Sequence, residues 1–135
     1  MVAKPHAAPR YPRTLVDKLG VRPDSLVSVL GVNDPGLRAQ LRARGPRVCD
    51  GAAAPGSDLI LVRIESRAEL PRIKSLRGTI KPNGAIWVVW SKGRKEFRED
   101  DVRAYGPAAG LVDVKVVSIS ALLSGLKMVI PVARR

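Results

Sequence analysis

The chain has few of the residues from which small proteins build reactive or metal-bound centres. Its 135 residues include one cysteine, Cys49, and one histidine, His6. A disulfide needs two cysteines and a structural zinc site needs about four Cys or His ligands, so neither can form within one chain. Cys49 also lacks a catalytic partner, because His6 lies in a proline-rich head. Such sparse cysteine usage is typical of a reducing compartment, and we expect a cytoplasmic protein.

Aromatic residues and long hydrophobic runs are scarce as well. There are two Trp, two Tyr and one Phe, and Trp87 and Trp90 fall within one apolar segment. Residues three apart on a strand face opposite sides, so the two tryptophans predict two core positions and no shared stacking platform for bases. The apolar stretch 111–133 is interrupted by three charged residues and a proline, and the first twelve residues lack the apolar segment of a secretory signal. We therefore expect no membrane contact.

Acidic residues are half as common as basic ones, 12 against 24, which gives a net charge of +12. The excess is spread evenly, with +5 over 1–57, +4 over 58–110 and +3 over 111–135. Two local groups stand out: Arg38, Arg42, Arg44 and Arg47, and Lys92, Arg94, Lys95 and Arg98. Both groups are suited to phosphate contacts, so an anionic ligand or a nucleic acid is one possible partner. The even spread favours the other explanation, a charged surface that serves solubility.

Hydrophobic patterning predicts one α/β domain over residues 14–135, preceded by a flexible arm, residues 1–13. Nearly continuous apolar runs are typical of buried parallel strands. We predict such strands at 25–31, 58–64 and 85–91, a short edge strand at 47–50, and a closing hairpin of strands 112–120 and 125–132. A turn over 78–84 is predicted to lead into the strand at 85–91.

Helix signals alternate with the predicted strands. The expected helices are 15–19, with Thr14 as N-cap and Gly20 as the stop, 37–45, 67–77, and 99 to 106 or 109. Ser66 and Glu69 match a capping box for the third helix. Since Pro71 is poorly placed in a helix that begins at Arg67, a start nearer Leu70 is the alternative.

Two segments carry a resemblance to known proteins. LRGTIKPNGAIWVVWS, residues 76–91, resembles the helix end, Lys-Pro-Gly-Gly-like turn and Leu-Trp-Val strand of class I S-adenosylmethionine-dependent methyltransferases. Residues 101–117, with Ala-Gly-Leu and Val-Asp-Val-Lys-Val, resemble the unit that follows. The resemblance implies a truncated, single-domain Rossmann-like fold whose mostly parallel sheet ends in an antiparallel hairpin.

The whole stretch from LVDKLGVRPDSLVSVLG to SGLKMV is similar to a small uncharacterised bacterial family, known only as a domain of unknown function. Leu123 stands where that family has tryptophan, and Asp24 where it has glycine. Together these motifs cover most of residues 14–132.

The resemblance is weakest where the methyltransferases bind their cofactor. Those enzymes follow the first strand with an acidic residue and a Gly-x-Gly-x-Gly loop, since only glycine lets the backbone approach the cofactor closely. Here residues 31–36, GVNDPG, keep two glycines and insert a proline. Residues 25–58 are also too short for two full strand-helix units. For S-adenosylmethionine binding, the resemblance implies these residues: Gly31, Asn33, Asp34, Gly36 and, as the ribose-binding acid, Asp50.

Ligands of open α/β sheets bind beyond the carboxyl ends of the strands. This rule adds Glu65, Ser91 and Lys92 as cleft residues. Each has a simpler alternative role, since Asn33 and Asp34 suit a turn, Glu65 suits a helix start and Lys92 suits solvent.

These observations lead to three hypotheses. The first is a non-catalytic binding or interaction module on a degenerate methyltransferase-like scaffold, whose partner is an unknown protein or an anionic ligand. The alternative is a minimal S-adenosylmethionine-dependent methyltransferase, and a weaker alternative is a basic nucleic-acid-binding protein. An exposed sheet edge would also permit a homo-oligomer.

Overall fold

The computed structural model describes residues 13–135, so all of the predicted arm except Arg13 lies outside the described residues. The division into an arm and one domain stays a prediction. In the described part, the strands are β1 (Leu26–Leu30), β2 (Arg47–Asp50), β3 (Ser57–Arg63), β4 (Ile80–Ser91), β5 (Val112–Ser118) and β6 (Leu123–Val129). The α-helices are α1 (Leu15–Leu19), α2 (Pro35–Arg44), α3 (Pro71–Leu76) and α4 (Glu99–Ala109).

The six strands form one sheet in the order β2-β1-β3-β4-β6-β5. The first four run parallel, whereas β6 is antiparallel to both of its neighbours, β4 and β5. This topology confirms the predicted α/β, Rossmann-like fold with a mostly parallel sheet and a closing antiparallel hairpin. It brings the carboxyl ends of β1, β3 and β4 to the same edge of the sheet. The two outer strands, β2 and β5, leave open edges, while a homo-oligomer stays a prediction.

The sheet is covered on both faces, each with its own apolar core. On one face, α3 and α4 contribute Ile73 and Val102 to a cluster that includes Trp90. On the other face, α1 and α2 pack against a cluster that includes Trp87, whose indole Nε1 donates a hydrogen bond to the Leu19 carbonyl at 3.1 Å. The tryptophans therefore occupy opposite faces, as predicted from their spacing.

The start of the third helix differs from the predicted capping box. A 3-10 turn spans Arg67–Glu69, the α-helix begins at Pro71, and the Ser66 side chain caps neither. The Glu69 carboxylate instead accepts a hydrogen bond from the Glu65 backbone N–H at 2.6 Å. Proline lacks an N–H and has a helical φ, so it suits the first helical position. The later start, near Leu70, is confirmed.

Strand β4 begins at Ile80, so the prediction of a turn through Gly84 is wrong for its last five residues. Residues 81–84 bulge out opposite Asp58 alone, between the pairs Ser57–Ile80 and Leu59–Ala85. Glycine is required at position 84, because a Cβ there would lie 3.0 Å from the Asp58 carbonyl oxygen. In the part of the chain that the structure describes, no helix has both the length and the apolar composition needed to cross a membrane.

Candidate functional site

A cleft of about 410 Å³ lies beyond the carboxyl ends of β1, β3 and β4. We call it the strand-end cleft; it is lined by Asn33, Asp34, Pro35, Arg63, Ser91, Lys92, Ser120, Leu122 and Leu123. Four residues nominated from the sequence therefore come together here: Asn33, Asp34, Ser91 and Lys92. The hairpin turn between β5 and β6 supplies the apolar wall. The cleft lies where open α/β sheets bind their ligands.

Glu65 lies beside this cleft but is held in a hydrogen-bond network. Its carboxylate accepts hydrogen bonds from the Ser91 hydroxyl at 2.8 Å and the Ser91 backbone N–H at 3.2 Å, and it forms ion pairs with Arg63 and Arg94. Burial acts to raise the pKa of Glu65, but hydrogen bonds from Arg63 and Ser91 together outweigh it and hold the pKa below its usual value. A carboxylate stabilised in its charged form is a poor proton acceptor. Its observed role is to join the ends of β3 and β4.

Arg63 is a cleft residue that the sequence reasoning missed. It is the last residue of β3, and besides its ion pair with Glu65 it donates a hydrogen bond to the Ser91 hydroxyl at 3.1 Å. It also lies against the loop after β1, since a Cβ on Gly31 would be 3.2 Å from the Arg63 Cβ. With Gly31, Glu69 and Arg72 it lines a neighbouring groove. The sequence did offer one signal for this position: Arg63 is a charged residue directly after the apolar run DLILV, where the predicted strand ends.

The loop after β1 serves mainly to start α2. Gly31 has a positive φ of 77°, which turns the chain out of the strand at a conformation that only glycine adopts readily. The Asp34 carboxylate accepts a hydrogen bond from the Leu37 N–H at 2.9 Å and is the N-cap of α2. A Cβ on Gly36 would lie 3.3 Å from that carboxylate. Two of the predicted cofactor residues, Asp34 and Gly36, thus have local roles at this helix start.

Asp50 ends β2, next to β1, the position expected of a ribose-binding acid. Its carboxylate pairs with Arg38 at 2.6 Å and is 58% exposed, and Arg38 also donates to the Val32 carbonyl at 3.2 Å. Asp50 lines a groove between α2 and β2 and does not line the strand-end cleft. Four of the five predicted cofactor residues are therefore divided among three places, the cleft, the groove at Gly31 and the groove at α2, and Gly36 lines none of the three.

The first basic group consists of Arg38, Arg42, Arg44 and Arg47 and lies around α2. Two of these arginines make contacts within the protein, and two are exposed at the surface. Arg44 pairs with Asp17 at 2.6 Å and donates to the Val21 carbonyl at 2.7 Å, which ties α2 to α1. Hydrogen bonds from Arg44 and Thr14 lower the pKa of Asp17 to about 2. With Arg38 also paired, Arg42 and Arg47 remain as surface cations of this group.

The four residues of the second basic group lie close together on the surface of the folded chain. Lys92, Arg94, Lys95 and Arg98 line one surface depression beside Trp90 and Phe97. Arg94 pairs with Glu65, and the Lys92 ammonium donates to the Ser118 hydroxyl at 2.7 Å. Glu99 lines the same depression, and its charge opposes anion binding. Among the described residues, no group of three His, Cys, Asp or Glu side chains is arranged to hold a metal ion.

No protein-family model matches the chain, and no curated protein sequence is significantly similar to it. The similarity to an uncharacterised bacterial family therefore stays a prediction. Solved structures do match. The calicheamicin-biosynthesis methyltransferase CalO1, in a form with bound S-adenosylhomocysteine, has a TM-score of 0.60 and 16% identity over 86% of this chain and 52% of its own.

Two further solved structures match at similarly low sequence identity. The O-methyltransferase NcsB1 from neocarzinostatin biosynthesis, in complex with S-adenosylmethionine and a naphthoic acid, has a TM-score of 0.60 and 12% identity over 78% of this chain and 49% of its own. Magnesium protoporphyrin IX methyltransferase from Synechocystis PCC 6803 has a TM-score of 0.56 and 12% identity over 85% of this chain and 78% of its own. At such low identity the likeness shows the fold alone. The chain has a class I methyltransferase-like fold and spans about half the length of CalO1 and NcsB1.

Proposed function

We propose that the chain is a non-catalytic binding module on a methyltransferase-like scaffold, and that its strand-end cleft takes a small anionic ligand. One observation carries the proposal: every acidic side chain at the strand ends already has an internal partner. Asp34 caps α2, Asp50 pairs with Arg38, and Glu65 pairs with two arginines. The cleft is lined by Asp34, by Arg63 in its pair with Glu65, and by Lys92, whose ammonium donates to the Ser118 hydroxyl and has no carboxylate partner among the described residues.

This charge arrangement disfavours a methyl donor. S-adenosylmethionine carries a positive sulfonium and a positive ammonium group against one carboxylate, so it is a net cation, and a site for it benefits from a free carboxylate. Arg63 occupies the space next to Gly31, the glycine closest to the end of β1. Arg63 is offset by Glu65, but the Lys92 ammonium has no carboxylate partner among the described residues, and bringing a cationic sulfonium close to it would be electrostatically unfavourable. A phosphate or carboxylate group would be attracted there instead.

The test is ligand-induced thermal stabilisation at constant ionic strength, with AMP and inorganic phosphate as probes. A probe at a hundred times its Kd stabilises the folded state by about 2.7 kcal/mol, or several degrees in a domain of this size. We expect AMP to stabilise the wild type and Lys92→Met to weaken its binding about tenfold. Lys95→Met removes an equal charge from the same loop outside the cleft and should leave binding within about twofold. Equal effects of the two substitutions, or no stabilisation by AMP, would rule the proposal out.

The second candidate is a minimal S-adenosylmethionine-dependent methyltransferase, which the structural neighbours favour. The position of Asp50 at the end of β2 also supports it. An exposed ion pair such as Arg38–Asp50 is worth about 0–1 kcal/mol, so a ribose could displace the arginine at small cost. Under this hypothesis S-adenosylhomocysteine stabilises the wild type, and Asp50→Asn removes the effect. Asp24→Asn, which breaks the exposed pair with Arg22, is the matched control. Stabilisation lost only in the Asp50 variant would replace the first proposal.

The nucleic-acid hypothesis has weaker support. Of its two basic groups, the structure leaves only the one from Lys92 to Arg98 gathered on one surface. A duplex or single strand held by those four side chains would bind with an affinity that falls steeply with salt. Fluorescence anisotropy of a labelled oligonucleotide at 50 and 200 mM salt measures this dependence, and a flat response would count against a nucleic-acid partner.

A further inference from the structure

A second cavity, of about 300 Å³, opens at the opposite edge of the sheet, where the parallel strands begin. We call it the amino-edge cavity. Its apolar floor is formed by Leu19, Leu59, Ala85 and Val129. Its polar lining is formed by Arg22, Ser25, Asp58, Asn83, Lys127 and Arg135. None of these residues lines the strand-end cleft.

Lys127 is the central cation of the amino-edge cavity. It lies on β6 within the SGLKMV segment, between Trp87 of β4 and Lys115 of β5 in the sheet register. Its side chain is half-buried, and among residues 13–135 no carboxylate lies within ion-pair distance of it. Burial first, and the charge of Lys115 second, lower the pKa of Lys127. A partly desolvated ammonium group without an opposite charge is unfavourable, and an anion would relieve that cost.

The other charged groups of the cavity do not neutralise Lys127. Asp58 is the one acidic side chain in the described lining, and it accepts a hydrogen bond from the Leu26 N–H at 2.8 Å and pairs with Lys81 at 3.0 Å. Arg22 pairs with Asp24 at 3.5 Å outside the cavity. Arg135 donates from its Nε to the Ile130 carbonyl. The lining therefore keeps an excess of positive charge above an apolar floor.

We propose that the amino-edge cavity binds a small oxyanion, a carboxylate or phosphate group carried on a short apolar body. The Lys127 ammonium group would pair with the anion, with the Asn83 amide and the Arg135 guanidinium as further donors. The apolar floor accommodates the body of the ligand. This site is independent of the function proposed for the strand-end cleft, because the two share no residue.

The experiment is a titration of the whole chain with benzoate and with inorganic phosphate, followed by ¹H–¹⁵N spectra at constant ionic strength. Benzoate carries an apolar body and phosphate does not. The difference between their Kd values therefore measures how much the apolar floor contributes to binding. We expect saturable shifts of the Asn83 and Lys127 amides with tighter binding of benzoate. Lys127→Met should weaken binding at least tenfold, while Lys74→Met, an equal change of charge at an exposed site on α3, should leave it within about twofold.

Methionine matches the length of the lysine stem, so we expect Lys127→Met to fold, and Lys127→Gln is a second variant that keeps a polar end. Equal Kd values for the Lys127 and Lys74 variants would overturn the proposal. Shifts that rise without saturation would also overturn it, as would shifts confined to Asn33 and Lys92, which would report the strand-end cleft instead.

Discussion

The front of the domain, residues 14–50, and the back, residues 80–130, differ in the length and burial of their strands. At the back, β4 and β6 pair over seven positions, and Trp87 and Met128 are fully buried. At the front, β1 and β2 are five and four residues long, and most of β2 is exposed. The front nevertheless has its own buried apolar core, to which Val27 and Leu37 belong, and the Arg44–Asp17 and Arg38–Asp50 pairs add polar contacts to it. Apolar packing thus maintains both regions, and the front in addition commits the carboxylates Asp34 and Asp50, at the predicted cofactor positions, to internal contacts.

The largest expected effect lies at the back, at Gly125. A Cβ there would lie 3.0 Å from the Ile119 Cδ1 and 3.3 Å from the Trp87 ring, so Gly125→Ala overpacks the core. We expect a loss of about 1–3 kcal/mol in the free energy of unfolding, measured by urea denaturation. Gly78→Ala is the control, because an added Cβ at Gly78 meets nothing within 4 Å. Equal stability of both variants would show that the close approach at Gly125 is not limiting.

A smaller effect is expected at the front, at Asp34. Asp34→Ala removes the N-cap of α2, and loss of such a cap costs about 1 kcal/mol. The same denaturation measurement applies, with Asp24→Ala as a control that removes an exposed carboxylate outside any helix cap. If Asp34→Ala leaves stability unchanged but abolishes binding of a ligand in the strand-end cleft, Asp34 is a binding residue and its cap is incidental.

The smallest expected effect is a pH dependence at the front that comes from Asp17. Its pKa is about 2 in the folded state, against about 3.9 in an unfolded chain. Because the folded pKa is the lower one, the contribution of Asp17 is fully present above about pH 4 and is lost as the pH falls toward 2. Melting temperatures of the wild type and Asp17→Asn between pH 2 and 6 should converge at the acid end. Parallel curves over the whole range would contradict this assignment.

The two central strands, β3 and β4, were predictable because each carries its signal locally. AIWVVW and DLILV are continuous apolar runs, and such runs specify buried parallel strands with few alternatives. The spacing of Trp87 and Trp90 was enough to place them on opposite faces. The capping box at Ser66 failed because a sequence pattern does not reveal competing hydrogen bonds, and Glu69 bonds to the Glu65 N–H instead.

The candidate site was only partly predictable. Four residues nominated at the strand ends line one cleft in the structure, Asn33, Asp34, Ser91 and Lys92, while a ligand for that cleft stays a prediction. The rule that ligands bind beyond strand ends could not show that Glu65 is neutralised, since its partner Arg94 is 29 residues away in the chain. Lys127 gave no sign of its half-buried position, because a lysine in a strand usually reaches solvent.

The sequence by itself determined the order of helices and strands, the two-faced core and the edge at which the strand-end cleft opens. These features depend on local periodicity and on apolar burial, which are written along the chain. Only the tertiary structure decided which charges are free and which are paired, and it placed Arg63 beside Gly31 and Lys127 in the amino-edge cavity. Electrostatic interactions depend on distance and desolvation between segments far apart in sequence, and those quantities exist only once the chain has folded.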